Sequence, residues 1–201
     1  FFNGVLLNFP IDDLEQYWPI DWGKDARAWV DRHMSVGILS RVTAKVHVRG
    51  NDGGGFDVLS VVGDFDVNNA TVSYLGDLTP ATGVKAQAQF SRKKIVFNIE
   101  EGAVGDLELA SGTIALTDID AYDSFGDFEF FVIGPLNSVM LLLDKEPLGL
   151  SSILGISPIK SVGWSTTRLH LFTILENDLS LDEVEIDATS ELRDVFIEKA
   201  V

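Results

Sequence analysis

The 201-residue chain is long enough for one or two domains with a sizeable core, and 46% of its residues are hydrophobic, which argues against disorder. Its 31 acidic and 15 basic residues give a net charge of −16. Because phosphate contacts need a basic face, this charge argues against a nucleic-acid partner. The absence of cysteine excludes disulfides, thiolate metal sites and cysteine nucleophiles.

The N-terminal part, residues 1–37, predicts a short strand followed by helix. Phe1–Phe9 is strand-like, and Asp12–Tyr17 predicts one turn of helix. Asp21 then suits a helix N-cap and Gly37 suits a C-terminal cap. Between them, one helical face carries the apolar residues Trp22, Ala26, Trp29, Val30 and Met34. The pattern predicts an amphipathic helix.

Residues 38–133 change to the period of two that is typical of β-strands. Tight turns are predicted at Gly50–Gly55, Asn68–Asn69, Arg92–Lys94 and Glu101–Gly102, and an acidic loop at Asp118–Asp127. The apolar positions that alternate with polar ones are Val42, Ala44, Val46, Val48, Val84, Ala86, Ala88, Phe90, Ile95, Phe97, Ile99, Leu107, Leu109, Phe128, Phe130 and Val132. These sixteen residues are expected to share one face of a sheet.

The short connections between these strands exclude parallel crossovers, so Leu39–Phe131 is predicted to form an antiparallel meander. The pattern does not decide whether the apolar face of this sheet stays open as a groove or closes as an ordinary core. In an open groove, Ala86 and Ala88 would leave space over the sheet for an elongated apolar ligand.

Residues 134–155 interrupt the strands with a predicted helix. Leu136, Val139, Met140 and Leu143 share one helical face, and Pro147 ends the helix before a second short apolar segment. The run is too short to span a bilayer and is expected to pack on the sheet. Residues 156–201 return to β-structure, with predicted strands at Val162–Leu175 and Leu179–Ala188. The acidic residues from 176 to 198 are expected to form a solvated face.

No catalytic or metal site is predicted, and the chain is not expected to be an enzyme. The sequence around Ser165 lacks the second glycine of a nucleophile elbow. Asp118, Asp120 and Asp123 do not fit a calcium loop of the EF type. A pair of carboxylates for glycoside hydrolysis stays open, because their separation is a three-dimensional quantity. The histidines, His33, His47 and His170, have no ligand-like spacing.

Several short motifs occur in an order that resembles a known family. They are Tyr17-Trp18-Pro19, Ala26-Arg27-Ala28-Trp29-Val30, Gly37, the run 72–80, Gly134-Pro135-Leu136, Pro147-Leu148, Gly155-Ile156-Ser157-Pro158 and Gly163. In this order they resemble the AsmA-like region of YhdP-type bacterial envelope proteins, over nearly the whole chain. Thr79-Pro80 stands where a double proline is expected.

The resemblance implies an α+β, mainly β fold: an antiparallel meander that forms a curled, groove-like sheet, with an N-terminal amphipathic helix and a central helix packed on the sheet. It implies a single segment, 1–201, of a larger periplasmic protein that is anchored in the inner membrane by a helix outside this sequence. The expected partners of the segment include the rest of the parent chain at both ends. The expected function is that of a lipid conduit between inner and outer membrane, which binds phospholipid acyl chains along the sixteen apolar positions. No cofactor is expected. The alternative is a closed structural module of the cell envelope without ligand.

Overall fold

A computed structural model describes residues 2–17, 24–74, 78–121, 123–145, 161–175 and 183–197. The strands are β1 (Phe2–Pro10), β2 (Met34–Ser35), β3 (Ile38–Gly50), β4 (Phe56–Val72), β5 (Ala81–Ser91), β6 (Lys94–Val104), β7 (Leu107–Thr117), β8 (Phe125–Pro135), β9 (Val162–Ile174) and β10 (Val184–Phe196). The helices are a 3₁₀ turn (Ile11–Asp13), α1 (Leu14–Tyr17), α2 (Lys24–His33) and α3 (Leu136–Asp144).

All ten strands belong to one antiparallel sheet. Its order is β1-β3-β4-β5-β6-β7-β8-β9-β10, and the two-residue strand β2 pairs with β4. From β3 to β8, each strand pairs with the next one in the chain, which confirms the predicted meander between Leu39 and Phe131. The fold is therefore mainly β, with an open sheet and few helices.

Two predicted turns are wrong. At Asn68–Asn69 the chain does not reverse, because Asn69 adopts a positive φ of 58° and forms a bulge inside β4. Asparagine tolerates this left-handed conformation in a bulge as well as in a hairpin turn. Similarly, Glu101–Gly102 lies within β6, and the reversal comes at Gly105–Asp106 instead.

The N-terminal helix α2 is present but ends at His33, four residues before the predicted cap. Met34 and Ser35 already pair with Val72 and Thr71 of β4, so the sheet takes over where a longer helix was expected. Trp22 lies outside the described residues, as do the side chains of Ala26 and Trp29. The amphipathic character of α2 therefore stays a prediction.

Gly37 has a packing role instead of a capping role. Its φ is 88°, and a Cβ placed there would lie 2.8 Å from the Cα of Ala70, which has no exposed surface. Only glycine fits so close to a neighbouring backbone.

The central helix α3 starts at Leu136, directly after β8, and contacts β8 and β9. Pro135 is the last residue of the strand and not the first of the helix. Leu136 is buried, whereas the second predicted segment, 147–155, lies outside the described residues. The acidic C-terminal part is an exposed edge strand, β10. Within the described residues, no helix is long and apolar enough to cross a membrane.

We expect Gly37→Ala to lower the free energy of unfolding by about 1–3 kcal/mol, because it adds a clash with Ala70 to a strained φ. Urea unfolding measures the loss. Gly54→Ala separates the two causes, since Gly54 also has a positive φ, 78°, but has no atom within 4 Å of its Cβ position. Equal losses at the two positions would contradict the close-approach role of Gly37.

Candidate functional site

One face of the sheet is apolar across its full width. Residues that pair across antiparallel strands point to the same side, so a row of partners can be followed from edge to edge. The central row is Leu6, Val42, Phe65, Ala88, Phe97, Ile114, Phe128, Leu171 and Ile186. Nine strands thus contribute nine apolar side chains without interruption.

The rows on either side of the central row are also apolar or small. The first is Phe9, Leu39, Val67, Ala86, Ile99, Gly112, Phe130, Leu169 and Ala188, and the second is Gly4, Ala44, Gly63, Phe90, Ile95, Leu116, Gly126, Thr173 and Val184. We call the surface formed by these three rows the apolar face. Thr173 is the one residue in these three rows that carries a hydroxyl group.

All sixteen residues that were predicted to line a groove lie on the side of the apolar face, either in its three rows or further along the same strands on the same side. Six of them are buried, namely Val84, Ala86, Ala88, Ile99, Leu107 and Leu109, and the other ten are half-buried. The list of sixteen groove residues leaves out row members such as Leu6, Phe65, Ile114 and Leu171. Their strands showed the same alternation, but only the register reveals that they continue the rows.

Burial is greatest at one end of the apolar face. Leu14 and Met34 pack there against a buried cluster that includes Ile11, Leu39 and Val84. Helix α3 begins at the same end, where β8 stops. The other end carries the Asn51–Gly55 turn, the Arg92–Lys93 turn and the loop before Phe125. Residues of the 3₁₀ turn and of α1 therefore cover part of this end of the face, and α3 starts there.

The space over Ala88 is filled from within the sheet. Phe65 and Phe97 flank Ala88 in the central row and belong to strands about 10 Å apart. Their ring centroids are only 5.8 Å apart, and Ala88 is 1% exposed. Both rings therefore lean over the alanine. The expectation that Ala88 leaves room for a ligand is not met, because neighbouring aromatic rings occupy that room.

Glycines let other rings lie flat on the sheet. A Cβ at Gly63 would run into the ring of Phe90, its cross-strand partner, and a Cβ at Gly112 would lie 2.8 Å from Cδ1 of its partner Phe130. Packing a ring over a strand glycine covers the exposed backbone. Phenylalanine rings therefore cover several of the small residues of the apolar face.

The opposite face, which we call the polar face, mixes charged residues with exposed apolar ones such as Phe131 and Trp164, and it carries cross-strand ion pairs. Arg41 Nη2 lies 2.7 Å from Asp64 Oδ2, and Arg168 Nε lies 2.9 Å from Glu129 Oε1. A hydrogen bond from Thr43, together with Arg41, lowers the pKa of Asp64. A hydrogen bond from Arg168 likewise lowers the pKa of Glu129. These ion pairs favour the charged forms of Asp64 and Glu129. Because the pairs are exposed to solvent, each adds little to the free energy of unfolding.

An open cleft of about 520 Å³ lies on the polar face and not on the apolar one. Its lining includes Thr43, Lys45, Asp64, Gln89 and Lys94. Asp64 is already held by Arg41 and Thr43. The cleft offers no group that is poised for proton transfer or nucleophilic attack.

The residues screened for chemistry do not assemble into a site. Ser165 lies inside strand β9, where its hydroxyl is 2.7 Å from Thr167 Oγ1. His33 Nδ1 lies 2.8 Å from the carbonyl oxygen of Ser73, and His170 Nε2 lies 3.0 Å from Asp127 Oδ1. Within the described part of the chain, no group of three His, Asp or Glu side chains is close enough to hold a metal ion.

Comparisons with protein-family models, with curated proteins and with solved structures find no match to this chain. The arrangement of its own residues therefore carries the functional argument.

We expect Ala88→Trp to lower the free energy of unfolding by about 1–3 kcal/mol, because the added ring must displace Phe65 and Phe97. Ala44→Trp is the matched control. Ala44 is half-buried and lies between Gly63, which the Phe90 ring covers, and Gly4, whose Cβ position has no atom within 4 Å. Because an added ring has room on the Gly4 side, the loss there should be smaller. Urea unfolding compares the two. Unchanged stability of Ala88→Trp would show that the rings do not fill this space.

A second prediction concerns pH. Because the pKa of Asp64 is lowered in the folded state, its contribution to stability is present above its unfolded pKa of about 3.9 and is lost as pH falls through the lowered folded value. Asp64→Asn should therefore make unfolding midpoints less dependent on pH below about 4. Asp52→Asn, at an exposed turn, is the control. An identical acid profile for wild type and Asp64→Asn would refute the assignment.

Proposed function

We propose that this chain is a segment of a periplasmic lipid conduit, which binds phospholipid acyl chains along the apolar face and supports lipid transport between inner and outer membrane. The observation that carries the proposal is the continuity of the apolar face, with three rows crossing nine strands. An acyl chain needs an extended apolar surface and few polar contacts, and these rows provide both.

Exposed apolar residues at the edges of the sheet support a binding role. At the edges of the central row, Leu6 is 40% exposed and Ile186 is 43% exposed. Contiguous apolar surface of this kind on a protein generally marks a contact site.

The nature of the face fits alkyl chains better than a specific small molecule. Its side chains are aromatic, aliphatic or absent, with Thr173 as the one hydroxyl in the three rows. Such a surface recognises apolar bulk and does not read a particular headgroup. The periplasmic location and the inner-membrane anchor of the parent protein belong to the same proposal and rest on the resemblance to AsmA-like proteins.

The second candidate is a closed structural module of the cell envelope. Burial of six of the sixteen predicted groove residues, concentrated near the helices, favours this alternative. In a closed module, the remaining half-buried residues would be covered by protein and no lipid would bind.

Adjacent residues of β9 separate the two candidates. Leu171 lies in the central row, whereas Phe172 points to the polar face, where its partner is Asp127. A lysine at Leu171 would place an ammonium group against bound acyl chains. We expect Leu171→Lys to weaken binding of a fluorescent fatty acid at least about tenfold, and Phe172→Lys to leave it unchanged. Circular dichroism and urea unfolding check that both variants are folded.

If Leu171→Lys does not fold, Ile186→Lys at the exposed edge of the same row is the replacement. Native mass spectrometry of purified wild-type protein tests independently for bound lipid. Absence of both lipid and probe binding from folded wild-type protein would exclude the conduit and leave the closed module. Equal effects at Leu171 and Phe172 would show that the apolar face is not the binding surface.

A further inference from the structure

The cleft on the polar face reverses the charge balance of the chain. Acidic residues outnumber basic ones by 31 to 15 over the whole sequence. Among the described residues, however, two lysines and one carboxylate line the cleft, namely Lys45, Lys94 and Asp64. Arg41 and Thr43 both donate hydrogen bonds to the Asp64 carboxylate, so its charge is already compensated. The two lysines therefore give the cleft a positive charge.

Strand register places the two lysines at opposite sides of the cleft. Lys45 on β3 pairs with Val62 on β4, and Val62 pairs with Ser91 on β5. Lys94 is the first residue of β6, and its backbone N–H donates a hydrogen bond to Ser91 Oγ over 3.1 Å. The two lysines thus end a row that crosses four strands, a span of about 14 Å. Their flexible four-carbon stems can reach a ligand that lies between them.

Neither lysine is engaged in an ion pair. In the described part of the chain, no carboxylate lies within 4 Å of the ammonium nitrogen of Lys45 or Lys94. Asp64 feels the charge of Lys45 but is held by Arg41 instead. By contrast, Lys85, on the same face of β5, has its Nζ 2.7 Å from Glu100 Oε2. The ammonium groups of the cleft are therefore available to an anion from outside.

The remaining lining combines a hydrogen-bond donor with an apolar floor. Gln89 pairs with Asp64 and Val96 in the neighbouring row, and its side-chain amide brings two N–H donors to the cleft. Val62 is 46% exposed, although its strand has a paired strand on each side. Ammonium and amide donors suit phosphate oxygens, and exposed valines suit the carbon atoms attached to them.

We propose that this cleft binds a phosphate monoester, with Lys45 and Lys94 contacting the phosphate oxygens from two sides. A phosphate monoester carries a charge of about −1.5 to −2 at pH 7, which matches the two ammonium groups. The volume of about 520 Å³ accommodates the ester together with a small organic group over Val62. The ester is either a soluble metabolite or the headgroup of a lipid. Because the cleft lies between β3 and β6, on the face opposite the apolar rows, acyl-chain binding is not required.

Calorimetric titration with glycerol 3-phosphate tests the soluble source, and sedimentation with phosphatidylcholine vesicles, with and without phosphatidic acid, tests the lipid source. We expect Lys45→Gln and Lys94→Gln each to weaken binding at least about fivefold. Lys85→Gln removes the same charge from the same face and should leave binding unchanged, because Glu100 already occupies that lysine. Circular dichroism checks that all variants are folded.

A second pair of variants tests the position of the site. Gln89→Glu adds a carboxylate inside the cleft and should weaken binding at least about tenfold. Gln87→Glu adds the same charge two residues away, on the same face of β5 but outside the cleft lining, and should have a smaller effect. Equal effects within this pair, or equal effects of Lys94→Gln and Lys85→Gln, would overturn the proposal.

The two probes also distinguish the source of the ester. Titratable binding of glycerol 3-phosphate supports a soluble ligand, whereas sedimentation only with phosphatidic acid vesicles supports a lipid headgroup. If folded wild-type protein binds neither probe, or binds both kinds of vesicle alike without binding glycerol 3-phosphate, the proposal is wrong. A fatty-acid probe carries no phosphate, so its binding to the apolar face is a separate result.

Discussion

The structure depends on the register that holds apolar side chains of nine strands in common rows. In an antiparallel sheet a slip of one residue transfers every side chain of a strand to the other face, so each pairing must keep the apolar set in phase. Leu39 and Val42 illustrate the difficulty, because residues three apart in a regular strand point to opposite faces. The bulge after Leu39 restores the phase, and both residues join the apolar face.

The same device operates on β4. Val67 and Ala70 are also three residues apart, and the bulge at Asn69 lets both point to the apolar face. Ala70 can then approach Gly37, which ties the sheet to the chain segment after α2. The two bulges lie at the same end of the apolar face, near the 3₁₀ turn and Met34. This end is consequently the most buried part of the molecule.

In the described part of the chain, the helices lie near one end of the sheet. Its core is thin, so cross-strand contacts such as those of Phe65 with Phe90 and Phe97 provide the packing that a second layer gives in most folds. The acidic residues lie mainly on the polar face, in loops and on β10, which favours solubility. The apolar face and β1 are left free of charge.

The sequence by itself determined that the chain is mainly β, that its central part is an antiparallel meander, and that sixteen named residues share a face. Alternation fixes these features because the period of a strand is set by its own backbone. The resemblance to AsmA-like proteins and the lipid function that follows from it stay predictions. The amphipathic face of α2 and the second apolar segment at 147–155 also stay predictions.

Only the tertiary structure decided where the chain turns and what fills the space above the sheet. Asn68–Asn69 and Glu101–Gly102 are residue pairs typical of turns. In the structure they lie inside strands, because neighbouring strands pair with them on both sides. The cover over Ala88 comes from residues 23 positions before it and 9 positions after it. Contacts between distant parts of the chain decide which strands are neighbours and how far their side chains lean. The residue pattern along one strand carries no information about these contacts.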